Sequence, residues 1–346
     1  GRLMGRPETL VTGLYSDTRS PVREGLFVAL RGDNFDGNRF AREAVEKHRA
    51  AVLIDDPQVA ADLPKDAGAI LVADSRLGYL GIAAAHRRAH SDKLWFGITG
   101  SVGKSTTKEM LSHVLEHGAR LNVHKAKGSF NNAVGLSHTI LRLNEDHDAA
   151  VLELGTNHPG EIGLLAAVAL PQIAIVTCAA ESHLEAFGTV ENVAREKGQI
   201  LAFQERGEIA VLNADSPYLP LWRKLAKGGV ITFGKTSGAD VHARHLRLND
   251  SGCAEFMVRC SDEPADCVLR VPGIQQVSNA LAALAAAVAA GVRLDLAARA
   301  LRSFEGVARR FSVKDVRGVT VIDDAYNANP ASFGAALDTL MIMRSA

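Results

Sequence analysis

The sequence predicts an α/β protein: a small amino-terminal α/β domain over residues 1–90, a central, mostly parallel sheet with helices on both faces over 91–312, and then a hairpin and a helix over 313–346. Three observations point there. Short apolar runs alternate with longer helical stretches, the pattern of buried parallel strands and their crossover helices. One of these runs leads straight into a glycine-rich loop and then a helix. The chain also has 346 residues, 47% of them hydrophobic, enough for two or three domains at about 150 residues each.

In chain order, Leu26-Phe-Val-Ala-Leu30, Ala51-Val-Leu-Ile54 and Ala69-Ile-Leu-Val-Ala73 read as buried strands of the first domain, separated by helical or Gly/Asp-rich segments. A helix over 77–90 leads to a strand at Leu94-Trp-Phe-Gly-Ile98, where the second domain begins. Strands follow at 149–154, 172–178, 209–213 and 230–233, with helices at 105–116, 161–169, 190–203 and 219–227. From 241 to 271 the texture changes to shorter alternating runs such as Ala254-Glu-Phe-Met-Val258, which suit antiparallel strands. Helices resume at 279–290 and 294–303, a hairpin over 313–322 turns at Arg317-Gly318, and a last helix opens at Pro330 and runs to the chain end.

Composition narrows the function. Lys plus Arg number 39 and Asp plus Glu 39, so there is no global basic field to hold a phosphodiester backbone, and nucleic acid is not expected as a partner. Cys178, Cys253, Cys260 and Cys267 form no CxxC pair and are few for a disulfide scaffold, which suits a reducing cytoplasm; the last three read as packing residues. The longest apolar stretch, 281–292, is short of the roughly 20 residues of a membrane span, and no signal peptide precedes it.

The segment Gly97-Ile-Thr-Gly-Ser-Val-Gly-Lys-Ser-Thr106 carries the strongest chemical signal. Glycines let backbone N–H groups wrap phosphates, Lys104 would reach the β/γ oxygens, and the Ser105 hydroxyl would sit on Mg²⁺ at a helix N-terminus. The strict P-loop spacing is not met: Gly97 leaves five residues before the Gly-Lys pair and Gly100 leaves two. Glu153 ends the apolar run Val151-Leu-Glu-Leu154. Alone it would read as a solvated strand end or a cap; beside a phosphate loop it reads as the acidic metal ligand of a neighbouring strand. His183 leaves the same rim after the next strand. Lys197, between Val193 and Ile200 on a helix, is by residue type a snorkelling surface lysine. Asp323 and Asp324 follow an apolar run, where they could contact a ribose or an ammonium group or cap a turn.

Together and in order, several segments resemble the Mur ligase family over nearly the whole chain. They are Ser16-Asp-Thr-Arg-Ser20, Gly25-Leu-Phe-Val-Ala-Leu-Arg-Gly32, the glycine loop, Gly128-Ser-Phe-Asn-Asn132, Glu153-Leu-Gly-Thr-Asn-His-Pro-Gly-Glu-Ile162, the run 183–200, Asn279-Ala-Leu-Ala-Ala283 and Asp323-Asp-Ala-Tyr-Asn-Ala-Asn-Pro330. Asn157-His-Pro-Gly160 and the last of these point to the members that join D-alanyl-D-alanine to a UDP-N-acetylmuramoyl-tripeptide. Gln275-Gln276 stand where the family usually has His-Asn, and Asn38 where a His is common.

The resemblance implies a monomeric cytoplasmic enzyme of peptidoglycan precursor synthesis, in which ATP phosphorylates the tripeptide carboxylate and the dipeptide amine attacks the acyl phosphate. It implies a UDP-binding first domain, a P-loop-type central domain, and a Rossmann-like third domain begun at 313–346. Gly100, Ser101, Gly103, Lys104, Ser105 and Thr106 then bind ATP, with Asn279 and Asp324 as further nucleotide contacts. Ser105 and Glu153 hold one Mg²⁺, and His183 with a carbamylated Lys197 a second. Ser16, Asp17 and Arg19 receive the uridine end, and Asn131 and Asn132 face the reacting phosphate. Family members carry a whole further domain beyond the position of Pro330, so the chain as it stands is expected to be a poor ligase alone. A sister ligase for another amino acid, a folate- or cyanophycin-type relative and a non-catalytic nucleotide-binding module are the competing readings.

Overall fold

In a computed structural model, which describes residues 1–5, 8–32, 34–261, 263–328 and 330–343, the chain divides into two units, Gly1–Ala89 and His90–Ala346. Residues from 313 on fall in the second unit and form no unit of their own. Asn329, inside the polar run before the last helix, and the final three residues of that expected helix lie outside the described residues.

In the first unit come β1 (Arg2–Met4), β2 (Leu14–Tyr15), β3 (Leu26–Val28), a small hairpin of β4 (Arg31–Gly32) and β5 (Phe35–Asp36), α1 (Ala41–His48), β6 (Ala51–Ile54), α2 (Pro57–Asp62), β7 (Ala69–Leu71) and α3 (Ser75–Ala89). Five of the strands make a sheet in the order β1-β7-β6-β3-β2, parallel except at β1. Helix α2 starts where Asp56 accepts from the Gln58 and Val59 amides with Pro57 at its first position, a local stop-start signal. Phe27, Val52 and Ile54 bury the sheet face. Asn38 is also buried, donating from Nδ2 to Asp36 and Asp55.

The second unit opens with β8 (Leu94–Thr99), α4 (Lys104–Gly118), β9 (Val123–Lys125), α5 (Ala133–Ile140), β10 (Ala149–Glu153), α6 (Glu161–Ala169), β11 (Ile173–Val176), α7 (Leu184–Phe187), α8 (Val190–Gly198), β12 (Ile209–Asn213), α9 (Leu219–Leu225) and β13 (Gly229–Gly234). It continues with β14 (Val241–Leu248), β15 (Cys253–Cys260), β16 (Glu263–Pro272), α10 (Gln275–Ala289), α11 (Leu294–Leu301), the hairpin β17 (Ser312–Val316) and β18 (Val319–Asp323), and α12 (Pro330–Ile342). Nine strands form one sheet in the order β16-β15-β14-β13-β12-β11-β8-β10-β9. Seven of them, β8 to β14, are parallel, and β15 and β16 extend the edge antiparallel. The parallel strands are buried nearly end to end, as strands covered on both faces must be. α4, α10 and α11 contribute Leu111, Leu115, Leu284 and Leu301 to the core on one side.

Two expected helices differ in their bounds from the sequence reading, and β9 and α5 were not expected at all. The helix over 190–203 stops at Gly198 and continues as a 3-10 turn, Gln199–Leu201. Gly198 is packed so closely on Leu225 and Trp222 that a Cβ there would meet both. α10 begins at Gln275, four residues before the expected start, because its first turn carries polar side chains outside the apolar period. Among the described residues no helix is long and apolar enough to cross a membrane.

The topology fixes where chemistry can occur. β8 lies between β10 and β11, so the chain leaves it in one direction along the sheet and returns in the other. At such a switch point the connections diverge and open a crevice at the carboxyl ends of the strands.

Candidate functional site

The crevice is a cavity of about 470 Å³ bounded by the loop after β8, the ends of β10 to β13, the start of α10, and the 310–335 region. Its floor is the glycine loop. Gly100 has φ +148° and a Cβ there would strike the Thr177 hydroxyl; Gly103 has φ +83° and a Cβ would strike the Asn279 amide. Only glycine permits both the backbone shape and these approaches. The loop is laced to the next strand, with Ser101 N donating to Cys178 O (3.0 Å) and Thr177 Oγ1 to Val102 O (2.6 Å).

Helix α4 starts at Lys104, its unpaired N–H groups facing the cavity. Lys104 Nζ rests on the Gly100 carbonyl at 2.7 Å, and burial pushes its ammonium below the usual lysine range against the opposing pull of Glu153. Ser105 Oγ donates to Glu153 Oε2 at 2.9 Å, and Asn131 Nδ2 donates to Oε1 at 2.8 Å. Glu153, 1% exposed, is therefore gripped on both oxygens. Asn131 is itself held by its backbone, which accepts from Gly155 N at 2.8 Å.

The other expected residues fall in several places. Ser101, Gly103, Thr106, His183, Asn279 and Asp324 line the cavity, and Gly100 shapes its floor. Asn279 Nδ2 donates to Gln276 Oε1 at 3.0 Å, and Asp324 Oδ1 accepts from Phe311 N at 3.0 Å. Asn132, expected beside Asn131, turns away: its Oδ1 accepts from Gly135 N and caps α5, because a helix start needs that acceptor. Ser16, Asp17 and Arg19 belong to the first unit, where Asp17 and Arg19 pair at 2.7 Å on the surface. That hydrogen-bonded guanidinium holds the Asp17 carboxyl down at about 2.

Lys197 does not snorkel. It is 2% exposed, and burial together with the nearby Lys104 charge lowers its pKa to about 7. His183, in a left-handed turn at the start of α7, is pushed down by burial and then by the charges of Lys197 and Lys104. Next to Lys197, Glu196 points the other way, accepting from Gly160 N (2.9 Å) and Ile162 N (2.8 Å) at the start of α6. Glu161 accepts from the Asn157 and His158 amides and so fixes the loop between β10 and α6.

Two residues at or behind the cavity went unread in the sequence. Lys108, one turn beyond Lys104, is fully buried and donates to the carbonyls of Ala126 (2.7 Å) and Gly128, anchoring the loop that carries Ser129 and Asn131. Its four-residue spacing from Lys104 was the available signal. Arg310 donates from Nη2 to Ser105 Oγ at 3.2 Å, and its guanidinium lies over the Tyr326 ring. The adjacent Arg309-Arg310 pair before the hairpin was its only mark.

The donor set can be tested for a cation. Ser105 and Glu153 present two hard oxygens in contact, the kind Mg²⁺ takes alongside phosphate oxygens. Lys197 offers no ligand as an ammonium and an anionic one as a carbamate. Among the described residues no three His, Cys, Asp or Glu side chains gather tightly enough to hold a metal by themselves. Any cation here would complete its shell with ligands beyond these side chains, such as nucleotide oxygens, water or a modified lysine.

Residues 98–287 match the model of the Mur ligase middle domain. The chain is 34% identical over 346 residues to the UDP-N-acetylmuramoyl-tripeptide--D-alanyl-D-alanine ligase of Escherichia coli, with 99% of this chain and 74% of that one covered. Among solved structures it is similar to MurF from Acinetobacter baumannii, with TM-score 0.90, 29% identity, and 98% and 73% of the two chains covered. It is also similar to MurF ligase from Thermotoga maritima in complex with ADP, with TM-score 0.83, 28% identity and 97% and 76% covered.

Proposed function

The chain belongs to the Mur ligase family, and from that premise we propose that it is an ATP-dependent ligase that joins D-alanyl-D-alanine to a UDP-N-acetylmuramoyl-tripeptide in peptidoglycan precursor synthesis. One observation carries the reading. A glycine cradle with Lys104 and Ser105 sits against Glu153 at the switch point of a parallel sheet, in a chain similar nearly end to end to ligases of that name.

The chemistry suits these residues. A carboxylate is a poor acyl donor at neutral pH, and phosphorylation gives it a leaving group. In this reading the amide groups of 101–106 and Lys104 bind the β- and γ-phosphates, Arg310 adds a second cation from the opposite wall, and Asn279 and Asp324 contact the nucleoside. Ser105 and Glu153 would hold Mg²⁺, with Asn131 fixing the carboxylate's orientation. Such a cation neutralises charge that accumulates as the γ-phosphoryl group transfers. His183 and a carbamylated Lys197 are assigned to a second cation. Support for the carbamate is the near-neutral pKa of Lys197, since only an uncharged amine reacts with CO₂. Ser16, Asp17 and Arg19 are assigned to the uridine end, with Arg19 exchanging Asp17 for a phosphate oxygen.

The test is ADP release by the protein given ATP, Mg²⁺ and UDP-tripeptide, with D-alanyl-D-alanine present or withheld. Sustained release that needs the dipeptide, with amide product formed, supports the reading. Equal turnover with a single amino acid in its place overturns it, as does failure of the protein to bind Mg²⁺·ATP.

A further inference from the structure

Arg310 lines the cavity and rests on an aromatic ring. Among the described residues it makes no ion pair with a carboxylate; its guanidinium carbon instead sits 4.0 Å from the centre of the Tyr326 ring, and one nitrogen reaches Ser105 Oγ at 3.2 Å. Asp324, two residues before Tyr326, spends Oδ1 on the Phe311 amide.

A carboxylate partner would consume donors and neutralise the charge. An aromatic ring takes only the face of a guanidinium, and the five N–H groups lie in its plane, so those beyond the Ser105 bond are left for oxygen acceptors. The surrounding backbone holds this stack in register. Tyr326 N donates to Arg309 O at 3.3 Å, and Arg309 Nη2 to Ala325 O at 3.0 Å, so the two segments are tied on either side of the contact. Tyr326 is 44% exposed, so its ring adds little to the core, and both residues line the cavity.

We propose that Tyr326 is a positioning residue for phosphate recognition: its ring holds Arg310 flat and aimed at the Ser105 end of the cavity, where the terminal phosphates of a nucleoside triphosphate would lie. This rests on the reading of the cavity as an ATP site. The ligand class is a polyphosphate, and the base is not what Tyr326 serves.

Calorimetric titration of the whole protein with inorganic triphosphate and separately with ATP, both with Mg²⁺, tests it. Tyr326→Leu should weaken both ligands by roughly 3- to 30-fold, and Tyr326→Phe should restore the lost affinity because the ring, not the hydroxyl, acts. In an Arg310→Ala background the same leucine change should cost less than about twofold, the mark of two groups acting as one. Equal losses in both backgrounds overturn the proposal, as does a loss seen with ATP but not with triphosphate, which would put Tyr326 on the base. Melting curves of the Leu and Phe variants separate loss of contact from loss of fold. If the unsubstituted protein binds neither ligand, the ATP reading falls as well; intact binding without coupling strikes this proposal alone.

Discussion

Lys104 and Lys197 are two lysines held for different ends. Lys104 is folded onto the Gly100 carbonyl and stays beside Glu153, so it is a cation waiting for an anion. Its replacement by Ala should lower ligase turnover about 10²- to 10³-fold, the scale of losing one oriented charge in a transition state; unchanged kcat would remove the loop from the chemistry. Lys197 is held near pKa 7, so at neutral pH a large share is uncharged, against well under 1% of an ordinary lysine. Carbon-13 spectra in labelled bicarbonate should show a carbamate that strengthens from about pH 6 to 8 and is absent in Lys197→Ala, whose activity short carboxylates partly restore. Because the folded pKa is depressed, the unfolded chain binds the extra proton between about 7 and 10.4. The lysine, uncarbamylated, therefore costs stability below that window, and the cost is relieved as pH rises through it. Residue type alone hid this: a lysine between Val193 and Ile200 reads as a surface residue, and only tertiary packing shows that no path to water remains.

At the scale of elements, α4 works at both ends of one turn. Lys104 faces the cavity, and Lys108 anchors the loop that carries Asn131, the residue that orients Glu153. Lys108→Met should leave the buried Ala126 carbonyl without this donor, at about 1–3 kcal/mol, and release the more exposed Gly128 carbonyl. Thermal unfolding should report that loss, and ATP affinity should fall with it although residue 108 is not on the cavity wall. Retained affinity in a destabilised variant would show the loop to be held by other means. The strands that build the rim, β8, β10, β11 and β12, were legible because each is a short apolar run with a polar or glycine end. β9 and α5 were not. A three-residue strand, Val-His-Lys, has no period to detect, and α5 carries Gly135, Ser137 and Thr139, poor helix formers that its Asn132 cap and burial overrule. The glycine loop, Glu153 and His183 were readable as motif and strand-end residues, whereas Arg310 arrives from a segment about 200 residues away and only the Arg309-Arg310 pair marks it locally.

Across the whole molecule, each unit encloses its own core, and every wall of the cavity comes from residues 101–335, within His90–Ala346. ATP should therefore raise the unfolding transition of that unit, by about 2.7 kcal/mol at a hundredfold excess over Kd. Calorimetric scans with and without Mg²⁺·ATP check this; a shift confined to the transition of Gly1–Ala89 would contradict the site. The large sheet has two outer strands, and neither is a plain ladder. β9 is three residues long, and β16 has Pro264 near its start, Pro272 at its end, and Glu263, Asp266 and Arg270 along it. Prolines lack the donor that a newcomer strand requires, and charges make its approach unfavourable. A sheet this wide and apolar would otherwise be a template for the strands of neighbouring chains emerging from synthesis, so its borders decide whether the enzyme can be made at high concentration without seeding its own precipitation.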